Sequence, residues 1–350
     1  MPRLRRADCS LPGIRRRRVG KGFAFYDATG AKVTDPETLA RIKALVIPPA
    51  WTDVWICTDA WGHIQAIGTD DRGRRQYRYH DKWRVRRDRE KFDHMLEFAA
   101  VLPRIREVAA EHLAHDGLCK DRVLACAVRL LDLGFFRIGT EGYAEENQTF
   151  GLATMRKKHV RVDGDVITFD YTAKSGKRRI QSVADPDVVS VVSDLKARTG
   201  GGYELLAYLD GDRWVDVKSS DINAYIKDAT GGEFTAKDFR TWSATVLAAV
   251  ALAVSSQAAT SKTGRKRAIS RAMQEVAEYL GNTATVARSS YVDPRVIDRY
   301  ESGVTILESL TALDGETGLG SLTTHGATEE AVLALLSDAS DGAVRAAIAA

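Results

Sequence analysis

The period of the hydrophobic positions changes part-way along the chain. Over residues 22–79 apolar side chains come in short runs. Phe23-Ala24-Phe25-Tyr26 and Val54-Trp55-Ile56-Cys57 are rich in strand-forming residues. His63-Ile64-Gln65-Ala66-Ile67 alternates polar with apolar, the period of a strand with one buried face. One helix over about residues 36–45 interrupts them, closed by Ile47-Pro48-Pro49, since proline pushes its predecessor out of the helical region. A small antiparallel sheet with few helices is predicted.

From Phe92 the spacing turns helical, with Met95, Leu96, Ala99 and Leu102 on one face. A strongly apolar helix over residues 123–133 ends at Gly134. A hairpin follows: Val166-Ile167-Thr168-Phe169-Asp170-Tyr171, a turn at Lys174-Ser175-Gly176-Lys177, then Arg179-Ile180-Gln181-Ser182-Val183. Further helices are predicted over about 220–229, 242–258 and 268–280. Gly281 stands where a helix-terminating glycine belongs. The basic block of residues 82–91 reads as a solvated helix start or an interdomain hinge, and residues 1–20 as a flexible basic arm. No internal repeat is visible. The fold class is therefore α+β: a small β-rich amino-terminal domain, 1–90, and a larger, mainly helical domain, 91–350. The latter ends in an acidic tail (about 312–350) of one or two short helices, expected to be dispensable for chemistry.

Composition sharpens this picture through charge. The net charge of +4 hides a strong segregation. Residues 1–20 carry seven Arg and one Asp, a balance of +6, and residues 301–350 carry eight acidic residues and one Arg, a balance of −7. Residues 1–300 therefore stand at +11, since 4 + 7 = 11. A basic body points to a polyanion, most simply nucleic acid. Cys9, Cys57, Cys119 and Cys126 form no CxxC pair, which argues against a zinc ribbon and fits a reducing compartment. No apolar run follows the basic N-terminus, so no secretory signal is visible. The apolar run over 242–254 is too short to span a bilayer and reads as a buried helix. The expectation is a cytoplasmic, nucleoid-associated monomer away from membranes.

The common chemical motifs are missing. Lys174-Ser175-Gly176-Lys177 lacks the first glycine of a phosphate loop. Asp163-Gly164-Asp165, Asp185-Pro186-Asp187 and Asp210-Gly211-Asp212 sit in turn contexts, where Asp is favoured by its hydrogen bonds to the backbone. The seven His are scattered, so no metal and no cofactor is expected. What remains is cations beside apolar elements. Arg137 follows Leu133-Gly134-Phe135-Phe136, and Arg240 lies in Lys237-Asp238-Phe239-Arg240-Thr241-Trp242, just before a buried helix. Arg among aromatics needs a carboxylate or a bound anion. Glu141 and Asp238 are the carboxylates at hand.

Four ordered segments taken together resemble the poxvirus-like type IB DNA topoisomerases, the bacterial branch most of all. They are Gly68-Thr69-Asp70-Asp71-Arg72-Gly73-Arg74-Arg75-Gln76-Tyr77-Arg78-Tyr79; Arg137-Ile138-Gly139, with Glu145-Glu146-Asn147-Gln148-Thr149-Phe150-Gly151-Leu152 after it; Lys237-Asp238-Phe239-Arg240-Thr241-Trp242; and Gly281-Asn282-Thr283 ahead of Ser289-Ser290-Tyr291. The likeness runs over about residues 22–300. It implies a catalytic domain of the tyrosine recombinase/topoisomerase IB type that relaxes supercoiled double-stranded DNA without metal or ATP. Tyr291 is then the nucleophile forming a 3′-phosphotyrosyl bond, and Arg137 and Arg240 grip the nonbridging oxygens. Lys174 protonates the departing 5′-oxygen, with Lys237 assisting. Asn282 stands where the family more often has His. An amide can donate a hydrogen bond to a phosphoryl oxygen but cannot shuttle a proton, which leaves Lys174 as the acid. By the same resemblance Arg72, Arg74 and Arg75 contact phosphates, while Gln76, Tyr77, Tyr79 and Tyr143 approach bases or sugars, the two domains closing on the duplex as a clamp. A tyrosine site-specific recombinase shares this chemistry, but it usually has HxxR where this chain has Lys237-Asp238-Phe239-Arg240, and a helical amino-terminal domain. A nonenzymatic DNA-binding protein is the third reading.

Overall fold

The computed structural model describes residues 3–259, 261–317 and 325–337. It divides into two compact units, Met1–Asp93 and His94–Ala350.

In the first unit the strands are β1 (Ile14–Val19), β2 (Gly22–Tyr26), β3 (Thr52–Ile56), β4 (Ile64–Thr69) and β5 (Arg75–Tyr79), with helix α1 (Pro36–Ala44) between β2 and β3. They form one antiparallel sheet in the order β2-β1-β3-β4-β5. The period of two in β3 sends Val54 and Ile56 to one face, where they pack with Ile14, Ile42 of α1 and Ala66. Trp55, Cys57 and Ile67 form a second cluster with Ala7 and Cys9. Within the basic arm expected to be flexible over residues 1–20, the described residues are instead tied to the sheet. Ile14–Val19 is an internal strand, and Arg5 N–H donates to Trp61 O at 2.8 Å while His63 N–H donates to Arg5 O at 2.8 Å. Its cations kept the strand out of the hydrophobic pattern, yet they are accommodated at the sheet surface. Arg16 donates to Pro48 O at 3.1 Å and lies 4.2 Å from the Phe23 ring centre.

Helix α2 (Asp81–Leu113) begins well before the expected Phe92. Its first turns lack an apolar stripe and are instead linked by pairs at helical spacing, Arg86 and Arg87 with Glu90. The basic block is therefore the start of a helix, and the boundary between the units falls within it.

The second unit continues with α3 (Lys120–Gly134), α4 (Glu141–Asn147), the strands β6 (Val160–Asp163), β7 (Val166–Thr172) and β8 (Arg178–Val183), α5 (Pro186–Ala197), the hairpin β9 (Ala207–Asp210) and β10 (Arg213–Asp216), and α6 (Ser219–Thr230). Then come α7 (Ala236–Ser256), α8 (Lys262–Leu280), α9 (Ala284–Ser290), α10 (Pro294–Glu301), α11 (Leu307–Thr317) and α12 (Ala327–Leu336). β6, β7 and β8 make a three-stranded antiparallel sheet. The three Asp pairs are turn and cap residues as expected: Asp163 and Asp165 flank the left-handed Gly164, Asp210 and Asp212 flank Gly211, and Asp185 caps α5. Helix α7 is long and apolar enough to cross a membrane by composition, but most of it is buried against α3, α6, α8, α10 and α12.

The acidic tail does not stand apart from this core. α12 buries Thr328, Val332, Leu333 and Leu336. Its Glu329 accepts from Trp242 Nε1 at 2.7 Å and pairs with Arg106 at 2.6 Å, and Arg106 also binds Asp132 at 2.9 Å. Helix α12 of the tail is thus packed into the helical core, while the expectation that the tail is dispensable for chemistry concerns the reaction and is unaffected by this packing.

Candidate active site

Helix α3 ends at Gly134, where Phe135 takes the left-handed conformation (φ 53°) and turns the chain into the segment that carries Arg137. That segment is held by two backbone bonds, Leu152 N–H to Arg137 O at 2.8 Å and Ala153 N–H to Ile138 O at 2.7 Å. Glycines permit the approach. A Cβ on Gly139 (φ 76°) would lie 2.8 Å from Gly151 Cα, and one on Gly151 would lie 2.5 Å from Gly139 N. The Gly139 and Gly151 flagged in the sequence therefore fix Arg137.

Arg240 sits one turn into α7. Thr235 and Asp238 cap that helix reciprocally, and Asp238 accepts from Thr235 N–H at 2.8 Å. Glu141, the carboxylate near Arg137, accepts from Ser219 N–H at 3.1 Å. Both candidate partners are thus engaged elsewhere, and among the described residues neither Arg137 nor Arg240 forms an ion pair.

Their partners are backbone carbonyls at the end of α8. Arg240 donates to Leu280 O at 2.9 Å and to Phe135 O, and Arg137 donates to Gly281 O at 3.4 Å and to the side-chain oxygen of Asn282. A third cation joins them. Arg179 of β8 donates to Glu278 O at 3.0 Å and to Tyr279 O. Three guanidiniums therefore share the last carbonyls of one helix, the negative end of its dipole. Arg240 is only 4% exposed, and its Nε, like Asn282 Nδ2, is buried without an acceptor among the described residues. Burial, then the neighbouring charge of Arg137, holds Arg240 below the ordinary guanidinium range. Uncompensated positive charge beside orphaned donors is the signature of a site for an oxyanion.

Tyr291 follows α9 at the entrance to α10, half-buried. Its position is set by Thr245 of α7, whose buried hydroxyl donates toward Tyr291 O (3.2 Å) and accepts from Asp293 N–H at 3.2 Å. Asp293 is fully buried, caps α10 and pairs with Arg295 at 2.8 Å. The guanidinium of Arg240 stands 5.4 Å from the Tyr291 ring centre. Burial alone would raise the phenol. The charges of Arg240, Arg137 and Lys237, with a hydrogen bond from Arg240, outweigh it and hold Tyr291 below the ordinary tyrosine value.

Lys174 stands exposed in the β7–β8 turn, where Ser175 (φ 67°) and Gly176 (φ 72°) are left-handed. It lines a cavity of about 280 Å³ with Arg137, Arg179 and Asn282, and a neighbouring one with Arg137, Thr149 and Phe150. The second unit thus gathers Tyr291, Arg137, Arg240, Asn282 and Lys174, with the exposed Lys237 at the start of α7. Arg179 was missed from the sequence. It lies on a strand with alternating exposure, where its Nε donates to Gln181 at 2.9 Å, and its bonds to the end of α8 arise from tertiary packing.

In the first unit, β5 divides the expected contacts by its period of two. Arg75, Tyr77 and Tyr79 are exposed on one face, with the two Tyr rings stacked at 6.0 Å and Arg75 lying 5.9 Å from the Tyr77 ring centre. Gln76 is on the opposite face and donates to Asp70 at 2.9 Å. Arg74 pairs with Asp70 at 2.8 Å, and Asp70, receiving Arg74, Arg72 and Gln76 bonds, is pulled down to about 2. Arg72 is exposed at the turn. Tyr143 falls in α4, but its side chain lies outside the described residues.

Comparison with known proteins covers both units. Residues 80–312 match the family model described as eukaryotic DNA topoisomerase I, catalytic core, and residues 22–70 match that of bacterial DNA topoisomerase IB, N-terminal domain. The chain is 31% identical over 299 residues to DNA topoisomerase 1B of Acanthamoeba polyphaga mimivirus, covering 83% of this chain and 88% of that protein. It is 28% identical over 143 residues to DNA topoisomerase 1B of vaccinia virus strain Copenhagen, covering 39% and 44%. Over 160 residues it is 28% identical to DNA topoisomerase 1 of Daucus carota, covering 45% and 19%.

Proposed function

The chain belongs to the type IB DNA topoisomerase family, and on that premise we propose that it relaxes supercoiled duplex DNA by cutting one strand with Tyr291 and resealing it, using neither metal nor ATP. The observation that carries this reading is the convergence of Arg137, Arg179 and Arg240 on one helix end, with no carboxylate partner for Arg137 or Arg240 among the described residues, beside a phenol made more acidic by the charges of Arg240 and Arg137.

Each role follows from a physical demand. An in-line displacement at phosphorus needs a nucleophile, charge compensation on the nonbridging oxygens and a proton for the leaving oxygen. Tyr291 attacks and becomes joined to the 3′-phosphate. The planar guanidiniums of Arg137 and Arg240 suit two phosphoryl oxygens. Asn282, its oxygen held by Arg137, turns its unpartnered Nδ2 to the same anion. It supplies a hydrogen bond and no proton, so the acid is Lys174, with Lys237 as an auxiliary cation. The tyrosyl ester conserves the energy of the broken bond, and attack by the free 5′-hydroxyl reverses the step. In the first unit, Arg72, Arg74 and Arg75 take phosphates and Tyr77 and Tyr79 approach sugars or bases, while Gln76, on the opposite face of β5 and bonded to Asp70, holds the turn beside them. All the groups required lie in one chain, which supports a monomer.

Relaxation of supercoiled plasmid in EDTA without ATP tests the activity. Tyr291→Phe should abolish the covalent protein–DNA adduct on denaturing gels while leaving duplex affinity nearly unchanged. An absolute need for magnesium, or an adduct persisting in that variant, would overturn the proposal.

A further inference from the structure

Away from the tyrosine, the second unit carries another concavity with the chemistry of an anion site. It encloses about 720 Å³ and is lined by Arg156, Lys157 and Lys158 on one side and Gly200, Gly201, Gly202 and Tyr203 on the other. The walls are tied together: Lys157 N–H donates to Tyr203 O at 3.0 Å, and Leu205 N–H donates to Met155 O at 2.6 Å. Lys196 reaches Lys157 O at 3.3 Å from α5. Beneath the glycines lies Arg198, only 8% exposed, which donates to Leu195 O and Leu205 O at 2.7 Å each and keeps a buried Nε without an acceptor among the described residues.

The loop is built for close approach. Gly200 (φ 94°) and Gly201 (φ 71°) are left-handed, and a Cβ on Gly201 would lie 3.0 Å from Trp214 and 3.5 Å from Arg198 Nε. Three cations, Arg156, Lys157 and Lys158, line the pocket, with Arg198 and Lys196 behind them, while Glu204 and Asp216 lie on the side of Gly202 next to Arg198. Tyr203 is 82% exposed at the rim. An exposed ring among cations suits sugar–phosphate chemistry, in which the charge holds the backbone and the ring meets sugar or base. A residue of this pocket neighbours one that lines the catalytic cavity. Arg156 lies 5.2 Å from the Phe150 ring centre, and Phe150 shares a cavity with Arg137 and Lys174.

We propose that the residue 156–158 and 200–203 walls form a second phosphate-binding site, which takes backbone phosphates of the bound duplex at a distance from the cleaved phosphodiester. The inference rests on the reading of the chain as a DNA-cleaving enzyme and adds a contact that the chemistry of cleavage does not require. Phosphate is the shared chemistry of a DNA backbone and a free inorganic anion, and the geometry points to the backbone because Arg156 of this pocket stands against Phe150 of the catalytic cavity and the exposed Tyr203 ring lies at its rim.

Binding of duplexes lengthened stepwise on either side of a cleavable site, at several salt concentrations, tests this with the full chain and a Lys158→Gln/Tyr203→Ala double variant. Both side chains are exposed, so equal thermal melts are expected. The parent should gain affinity severalfold once the duplex reaches the pocket on one side. The double variant should show no such gain, and its log–log salt slope should fall by about 0.9 for each phosphate that it no longer neutralises. Lys158→Arg should restore the slope. An equal gain and slope in parent and double variant would sink the proposal. So would binding of millimolar inorganic phosphate by calorimetry that is lost in the double variant without any length-dependent difference on DNA, which would assign the pocket to a free anion. Failure of the parent to relax plasmid in EDTA is a separate result and would strike at the proposed function.

Discussion

The residue scale is where the proposed chemistry is most exposed to test. Tyr291 has its phenol lowered despite burial, because Arg240, Arg137 and Lys237 favour the phenolate. Removing a cation must move the phenol back up. In single-turnover cleavage, Lys237→Gln should therefore shift the alkaline inflection of the rate to higher pH, and an unmoved inflection would mean that this charge does not act on the nucleophile. Lys174 poses a different question, acid or mere charge. A lysine with a pKa of about 10.4 is protonated at neutral pH and can protonate an alkoxide, while a leaving thiolate, with a pKa near 8.5 for its thiol, needs no such help. Lys174→Ala should be severely slowed on ordinary DNA and return close to the parent rate when the bridging 5′-oxygen is replaced by sulfur. Arg137→Ala and Arg240→Ala should recover far less. Equal rescue of all three would make Lys174 an electrostatic contact.

At the scale of elements, the end of α8 is the organising feature. Gly281 closes the helix in the left-handed conformation (φ 63°), and a Cβ there would meet Arg179 at 2.9 Å. Arg179 and Arg137 thus hold neighbouring carbonyls, and Asn282 emerges beside them toward Arg137. Arg179 is best regarded as a positioning residue acting through that turn. Arg179→Ala should slow cleavage by roughly tenfold or more, about 1.4 kcal/mol in the barrier, with little change in duplex affinity. In an Asn282→Ala background the same substitution should cost much less, because residues sharing one hydrogen-bond network are not additive. Additive losses in the cycle would show that Arg179 acts independently of Asn282.

The whole molecule adds the acidic tail. Its charge and late position suggested that chemistry does without it; its contribution is to stability, since Glu329 satisfies both Trp242 Nε1 and Arg106, and Trp242 lies only two residues beyond Arg240 on α7. Truncation before α12 leaves a buried indole N–H unpaired, a cost of about 1–3 kcal/mol, and removes the buried side chains of Val332, Leu333 and Leu336 besides. The expected outcome is a fall in Tm of several degrees, at roughly 2–4 °C per kcal/mol, with single-turnover cleavage retained at low temperature. Since Glu329 has no bond to Tyr291, loss of cleavage in a still-folded truncated protein would assign the tail a part in the reaction.

What the sequence determined by itself was the local order of the chain and the identity of its reactive groups. Helix and strand periods located α1, the β7–β8 hairpin, α6, α8 and the glycine at the end of α8, because burial of one face imposes its period on consecutive residues. The ordered segments carrying Arg137, Arg240, Asn282 and Tyr291 gave the family resemblance that the comparisons support. Where surface charge replaced that periodicity, reading failed at β1, four consecutive arginines between Ile14 and Val19, and left the start of α2, cationic on nearly every side, open between helix and hinge. Only tertiary structure decided the partners. Glu141 and Asp238 stood near the arginines in sequence but bond elsewhere, whereas the carbonyls at the end of α8 that bind Arg137 and Arg240 come from residues more than a hundred and about forty positions away, respectively. Hydrogen bonds between distant segments are set by how helices and sheet pack, and that packing leaves no spacing in the sequence from which Arg179 or Glu329 could have been read.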